Sequence, residues 1–352
     1  MIEWVTEVER FTALADEWER LLPDDSTPFD LHHWYASWWE AFGAPYELAV
    51  CTVRRDGELA AAFPLARDGE ALIPLSNDQG SYFRPLARDE AAMEELVDAV
   101  LERMPAPFEL DGLPAEDPSV AGLRGGSRRA GMFALVEPAY ASPIVATDGD
   151  YEQWKKEKKS GWGAPLERFG RKMGRDFEAE FSIVEAPADL EAELTDGFRV
   201  EASGWKGKAG TAIVSSPQNE AFYRVLARAF DAHDELRLSR VTLDGRLAAF
   251  DYCLLHRKRL YLLKTAFDED FRKLAPGLVM RLFTVQRCFE LGLDAHDLTG
   301  TESEWKMKFA TTVRPHVTLR TYNRSGAFAY AYRSALRPRL KRVYRRLRPQ
   351  EA

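Results

Sequence analysis

Apolar and polar positions change period sharply at one place in the second half of the chain. Residues 260–267, LYLLKTAF, make a short β-favouring run, after which Leu278, Leu282, Val285 and Phe289 recur at i, i+4, i+7 and i+11. That pattern predicts a strand, a loop, and a helix that opens at Pro276 and Gly277 and closes at Gly292. Two more strands precede it, at 236–243 and 246–255, with turns at Asp244-Gly245 and 256–258. Around this group the periodicity predicts a strand at 180–185, helices at 188–202 and 217–233, a strand at 294–298, a short helix at 303–309 and a strand at 316–322.

The first half follows a similar order. A strand over 2–11 and a helix over 12–22 with Thr12 as N-cap lead to a helix at 31–42. Leu31, Trp34, Tyr35, Trp38, Trp39 and Phe42 give that helix a wide apolar face, expected to be an aromatic core element rather than a substrate-stacking platform. A hairpin turns at Asp56-Gly57 between 48–53 and 58–65, a strand follows at 71–75, and a polar loop at 76–82 leads to a helix at 89–103. Strands at 108–110 and 133–144 end this half at the polar break 147–150. Hairpin-joined strands imply an α+β fold with mixed, mostly antiparallel sheets flanked by helices. The expected division is a unit over 1–150, a second over 151–325 and a basic tail over 326–352.

Composition narrows the function classes. The net charge of −8 over 352 residues argues against a nucleic-acid binder. It is unevenly spread: Arg333, Arg337, Arg339, Lys341, Arg342, Arg345, Arg346 and Arg348 crowd the tail, so the remaining residues carry about −16. After Pro338, the residues Leu340, Val343 and Leu347 form one stripe among these cations, the pattern of a helix that meets an anionic membrane or docks on the protein's own acidic body. No apolar run approaches the ~20 residues of a membrane span, and residues 1–22 do not read as a secretory leader. A cytoplasmic protein, peripheral to the inner membrane if the tail acts as an anchor, is expected. Cys51, Cys253 and Cys288 are odd in number and lie in apolar runs, which predicts buried free thiols, and the six scattered histidines offer no ligand set, so no metal is expected.

The chemistry concentrates where the period changes. Arg272, Lys273, Ala275 and Gly277 bring two cations, free backbone N–H groups and the positive end of a helix dipole to one spot, which suits phosphate. The spacing Arg272-x-x-Ala275-x-Gly277 resembles the pyrophosphate-binding loop of the GNAT acyltransferase superfamily, with Ala275 in place of the first glycine. A longer ordered series extends the likeness: 201–208 (EASGWKGK) with Gly210, then Asp244-Gly245-Arg246, Leu263-Lys264, Asp268, Ala275-Pro276-Gly277, Asp297, Gly300 and Lys306. Over about residues 1–325 the chain resembles the BioF2-like, cellulose-biosynthesis-associated acetyltransferases, a tandem-GNAT group related in architecture to Fem-type peptidoglycan aminoacyltransferases.

That resemblance implies transfer from acetyl-CoA or another acyl-CoA, with the substrate between two GNAT-like units. The donor would be held by Leu263, Lys264 and Thr265 on a strand splayed from its neighbour, and by Arg272, Lys273, Leu274, Ala275, Pro276 and Gly277 in the loop. Direct transfer needs a base and stabilisation of an oxyanion. Glu201, Asp251, Asp268 and Glu302 are candidate bases, and Lys264 and Lys306 candidate electrostatic partners. Each has a structural alternative: Glu201 as a loop anchor, Asp251 as half of a buried pair inside an apolar strand, Lys306 as a lysine lying along Trp305. The first half has no matching loop, since 79–85 carries its glycine and cation in the wrong order, and is expected to shape the acceptor side. The family points to an amine or hydroxyl of a sugar, nucleotide-linked sugar or polysaccharide precursor. Fem-like aminoacyl transfer and a non-catalytic scaffold for an envelope polysaccharide synthase stand as alternatives.

Overall fold

The turns that set the hairpins carry the backbone conformation their residues favour. Asp56-Gly57 (φ 53° and 86°) and Asp244-Gly245 (φ 50° and 75°) take the two successive positive φ angles of a turn whose twist matches that of paired strands. Arg257 and Lys258 do the same without a glycine (φ 45° and 58°). The structure is a computed structural model that describes residues 1–104, 108–158 and 163–336. The basic stripe after Pro338 lies outside those residues.

The first half builds a four-stranded sheet from Ile2–Val5, Val50–Arg55, Glu58–Phe63 and Leu86–Ala87, and a smaller one from Glu47–Leu48, Leu65–Asp68 and Ala71–Pro74. A third sheet has eight strands: β1 (Glu109–Pro114), β2 (Phe133–Ala146), β3 (Ala179–Val184), β4 (Leu236–Leu243), β5 (Arg246–His256), β6 (Arg259–Phe267), β7 (Ala295–Asp297) and β8 (Thr312–Tyr322). Their order is β3-β4-β5-β6-β7-β2-β8-β1. Only β6 and β7 pair in parallel; every other pairing in this sheet is antiparallel. Strands β1 and β2, from the first 150 residues, thus run in the same sheet as strands of the second half. The fold is mixed α/β, with mostly antiparallel sheets flanked by helices.

Five helices matter for the site: α1 (His32–Phe42), α2 (Leu190–Ser203), α3 (Pro217–Asp231), α4 (Pro276–Glu290) and α5 (Glu304–Phe309). Trp34 and Trp38 of α1 are buried, as a core role requires, and the Trp34 ring meets Phe222 of α3 edge-on at 5.5 Å. One core joins α1 and the first-half sheet to α2, α3 and Tyr261, while a second lies between the large sheet and α4. All three cysteines are buried and unbridged.

Three sequence expectations fail for local reasons. The strand at 2–11 stops at Val5, and the helix expected over 12–22 is two short ones, Val8–Thr12 and Ala15–Glu19. Thr12 is no N-cap there; its hydroxyl bonds back to Val8 O at 2.9 Å and ends the first helix. The helix Pro118–Arg129 was hidden by Gly122, Gly125 and Gly126, residues of low helix propensity. Two of these glycines allow close packing: a Cβ on Gly126 would lie 2.4 Å from Val97 Cγ1, and one on Gly122 2.8 Å from Met93 Cγ.

A polar cluster ties the first half to the second. Glu235 accepts from His256 Nδ1 at 2.7 Å and His33 Nε2 at 3.1 Å, and Ser26 Oγ meets His256 Nε2 at 3.0 Å. Burial pushes the Glu235 carboxyl up, but the hydrogen bonds from His256 and His33 outweigh it and bring it down to about 2. A depressed carboxylate stabilises the fold above its unfolded value near 4.5 and loses that contribution as pH falls towards 2. Glu235→Gln should therefore cost about 1–3 kcal/mol at pH 6 and much less at pH 3, by urea unfolding. Equal cost at both pH values would rule out this clamp.

Candidate active site

The site follows from how β6 and β7 separate. Their parallel pairing covers only Arg259↔Ala295, Leu260↔His296 and Tyr261↔Asp297. Strand β6 runs on to Phe267, held by β5 alone, so its other edge opens over residues 262–267. A bulge sits at this parting: Tyr252 faces Lys264 and Cys253 faces Leu262, leaving Leu263 as the extra residue. Such a bulge re-aims the side chains beyond it.

The opening is a cleft of about 570 Å³, in the size range of small-molecule sites. Residues 262–267 form one wall, and Leu298, Thr299, Thr301, Ser303, Trp305 and Lys306 the other. Gly277 and Leu278, at the start of α4, also line it, as do Glu201 and Gly204 at the C-terminal end of α2. No side chain caps α4, whose first residue is Pro276, so its positive end is available to an anion beside the cleft. Ala275 takes φ 49° and ψ 50°, the left-handed conformation that a glycine would adopt freely and that costs an alanine about 1 kcal/mol. A Cβ on Gly277 would find only Phe267, no closer than 3.7 Å, within the protein.

Of the residues singled out from sequence, the cleft brings together Glu201, Leu263, Lys264, Thr265, Gly277 and Lys306. Glu201 is buried and accepts from the Ile213 N–H at 2.7 Å. Lys264 Nζ lies 5.2 Å above the Tyr223 ring. Burial pulls the Lys264 amine below the usual lysine range, while the carboxylates of Glu201 and Asp78 oppose that shift. Lys306 Nζ donates to Thr299 O at 2.8 Å.

Other candidates sit elsewhere. Asp251 forms a fully buried ion pair with Arg281, Oδ2 to Nη2 at 2.5 Å, on the α4 side of the sheet and not on the cleft wall. Asp268 is likewise occupied: it accepts from Asp270 N at 3.0 Å and pairs with Arg246 at 2.6 Å. Glu302 is exposed beyond the lining residues. In the loop, Leu274 is buried, Lys273 is exposed, and the Arg272 side chain is 74% exposed and 3.8 Å from Glu269. Gly277 and Leu278 at the start of α4 line the cleft, whereas Arg272, Lys273, Leu274, Ala275 and Pro276 are not among its lining residues.

Gln79, from the first half, was visible only as part of a polar loop. Its Oε1 accepts from Tyr223 OH at 3.1 Å and its amide donates to Asp78 at 2.9 Å, which puts this loop behind Lys264. A contact spanning 144 residues leaves no spacing to find.

Comparison with known proteins agrees with this geometry. Residues 164–307 match the profile of the acetyltransferase (GNAT) domain family. No curated protein matches the chain in sequence. Among solved structures, the C-terminal domain (DUF2156) of a protein described as a lysylphosphatidylglycerol synthetase from Agrobacterium fabrum covers 93% of this chain and 97% of its own, with 14% identity and a TM-score of 0.56. FemX covers 95% and 99% at 11% identity, TM-score 0.58. L-PGS from Bacillus licheniformis covers 92% and 93% at 13% identity, TM-score 0.56. At such identities the likeness is one of fold. The domain match and the cleft together support an acyl-CoA-dependent acyltransferase of GNAT type, with acyl-CoA as co-substrate. Among the described residues no group of histidine, cysteine and carboxylate side chains could hold a metal ion.

Proposed function

We propose that the protein transfers an acyl group from acyl-CoA to an amine or hydroxyl of a sugar, nucleotide-linked sugar or polysaccharide precursor, in the manner of BioF2-like acetyltransferases. One observation carries this reading: the cleft left by the splayed β6–β7 pair is lined by the uncapped start of α4 together with Glu201 and Lys264. The pyrophosphate of the donor lies at the start of α4, its amide-bearing arm pairs with the open edge of β6, and its thioester reaches the bulge at Leu263.

The acceptor comes from the face of the sheet where Tyr223, Gln79 and Lys264 meet. Its amine nitrogen or hydroxyl oxygen attacks the thioester carbonyl. Lys264, whose burial favours the neutral amine, takes the proton, and Glu201 holds the resulting ammonium. A C–N or C–O bond forms, the C–S bond breaks, and the departing thiolate takes up the proton that Lys264 removed from the acceptor, which restores the neutral amine.

Lys264→Met should lower turnover with acetyl-CoA by about 10²- to 10⁴-fold while CoA affinity changes little. The assay is thiol release against a panel of amino sugars and neutral sugars. Activity should also fall with pH through the lowered Lys264 value, because protonation removes the base. Wild-type turnover in Lys264→Met would remove this residue from the chemistry.

A second reading, aminoacyl transfer of Fem type, is favoured by the fold-level likeness to FemX and L-PGS along nearly the whole chain. Binding of acetyl-CoA separates the two.

A further inference from the structure

The far wall of the cleft is held from the first half. Just past the parting of β6 and β7, Thr299 and Gly300 both take positive φ, 49° and 55°. Thr299 lines the cleft, and a threonine in this conformation persists only if its surroundings impose it. Four contacts do so. The Thr299 N–H donates to Asp297 Oδ1 at 2.8 Å, its hydroxyl donates to Leu262 O on the opposite wall, and its carbonyl accepts from Lys306 Nζ at 2.8 Å. Ser142 Oγ on β2 donates to Gly300 O at 3.2 Å.

Asp297 is the hinge of this arrangement, and its second oxygen is taken by the first half. Tyr82 OH donates to Asp297 Oδ2 at 2.5 Å across 215 residues of sequence. Both side chains are buried, and Arg314 braces them, 3.9 Å from the same oxygen and 5.3 Å over the Tyr82 ring. The ring of Tyr82 is fixed in turn by Phe29 at 4.9 Å and His316 at 4.7 Å. Through the Tyr82 hydroxyl the loop 76–85 reaches the far wall of the cleft, in addition to its contact behind Lys264.

We propose that Tyr82 and Asp297 are positioning residues that set the Thr299-Gly300 wall for acyl-CoA, so that the first half helps to build the donor site as well as facing the acceptor. This rests on the acyl-CoA reading of the cleft. Removing the hydroxyl in Tyr82→Phe leaves the aromatic packing in place but frees one oxygen of a buried carboxylate. The wall then loses its fixed conformation, and donor binding weakens.

A purely structural tyrosine and a positioning one differ in pH dependence. Burial raises the Asp297 carboxyl, while Arg314, the Tyr82 hydroxyl, the Thr299 N–H and Arg259 lower it; Tyr261 and Tyr140 also face it. Donor affinity should be complete where Asp297 is ionised and fall as pH drops through its value. Without the Tyr82 hydroxyl that value rises, so the loss begins at higher pH.

The test is calorimetric titration of acetyl-CoA into wild type, Tyr82→Phe and Asp297→Asn between pH 5 and 8, with hydrogen exchange followed over residues 298–303. Tyr82→Phe should bind about five- to tenfold more weakly at pH 7.5. Its acid limb should shift to higher pH, and exchange at 298–303 should quicken. Asp297→Asn should bind weakly at every pH, with no acid limb of its own. Unchanged affinity, acid limb and exchange in Tyr82→Phe, with wild type binding normally, would overturn the positioning role and leave the acyl-CoA reading intact. Absence of binding in wild type would overturn both.

Discussion

Gly277→Asp is expected to abolish acetyl-CoA binding, a loss of at least a hundredfold, while the protein remains folded. The new Cβ meets nothing closer than Phe267 at 3.7 Å, so the core is not disturbed. A carboxylate in the first turn of α4 also suits the helix dipole and should raise stability by about 0.3–1 kcal/mol. The same carboxylate occupies the uncapped helix start and repels the pyrophosphate from the wall that Gly277 and Leu278 form. Opposite signs for stability and affinity make the result diagnostic, since a variant that merely misfolds loses both. Calorimetry for binding and urea unfolding for stability check it, and unchanged affinity in a folded Gly277→Asp protein would sink the helix-start site.

The largest effect on stability should come from Arg281→Leu. Arg281 and Asp251 are each no more than 1% exposed, and Arg281 Nη1 also donates to His296 Nε2 at 2.6 Å. Burial and the Arg281 charge hold His296 neutral, down to about 3, which lets Nε2 accept while Nδ1 donates to Leu260 O at 2.9 Å. Removing the guanidinium leaves a buried carboxylate without its counter-charge, at a cost of about 3–5 kcal/mol. Asp251→Asn combined with Arg281→Leu removes the charge as well and should recover more than half of that loss. Urea unfolding of both variants decides; a single variant that costs under about 1 kcal/mol, or a double no better than the single, would contradict the pairing. The Arg281 guanidinium also lies 5.7 Å over Trp305 of the cleft wall, so the single variant should loosen that wall.

What was legible in the sequence follows from where the determining contacts lie. The strand, loop and α4 were readable because their period change, Pro276, and Gly292 are local, and hairpins at Asp56-Gly57 and Asp244-Gly245 announce themselves by dipeptide. The sequence shows Asp251 as a carboxylate in an apolar strand that must be paired or functional; its pairing depends on Arg281, thirty residues on, in the helix α4 packed against that strand. Asp251 is fully buried in its pair with Arg281 and is not among the residues that line the cleft. Lys264 and Glu201 stood out by type, but their convergence depends on the bulge at Leu263 and on how α2 ends beside β6. Nothing local hints at Tyr82 meeting Asp297, or at Glu235 joining His33 to His256, because each links segments far apart in sequence. The failures at 12–22 and 118–129 were of another kind, a cap misassigned by one turn and glycines whose use is close packing.

The most direct measurement is calorimetric titration of acetyl-CoA into the wild-type protein at low salt. A donor cleft between β6 and β7 gives one saturable site per chain, with affinity in the micromolar range common for enzyme substrates and competition by free CoA. No heat of binding at millimolar acetyl-CoA, in protein that unfolds cooperatively, would contradict acyl-CoA as the donor.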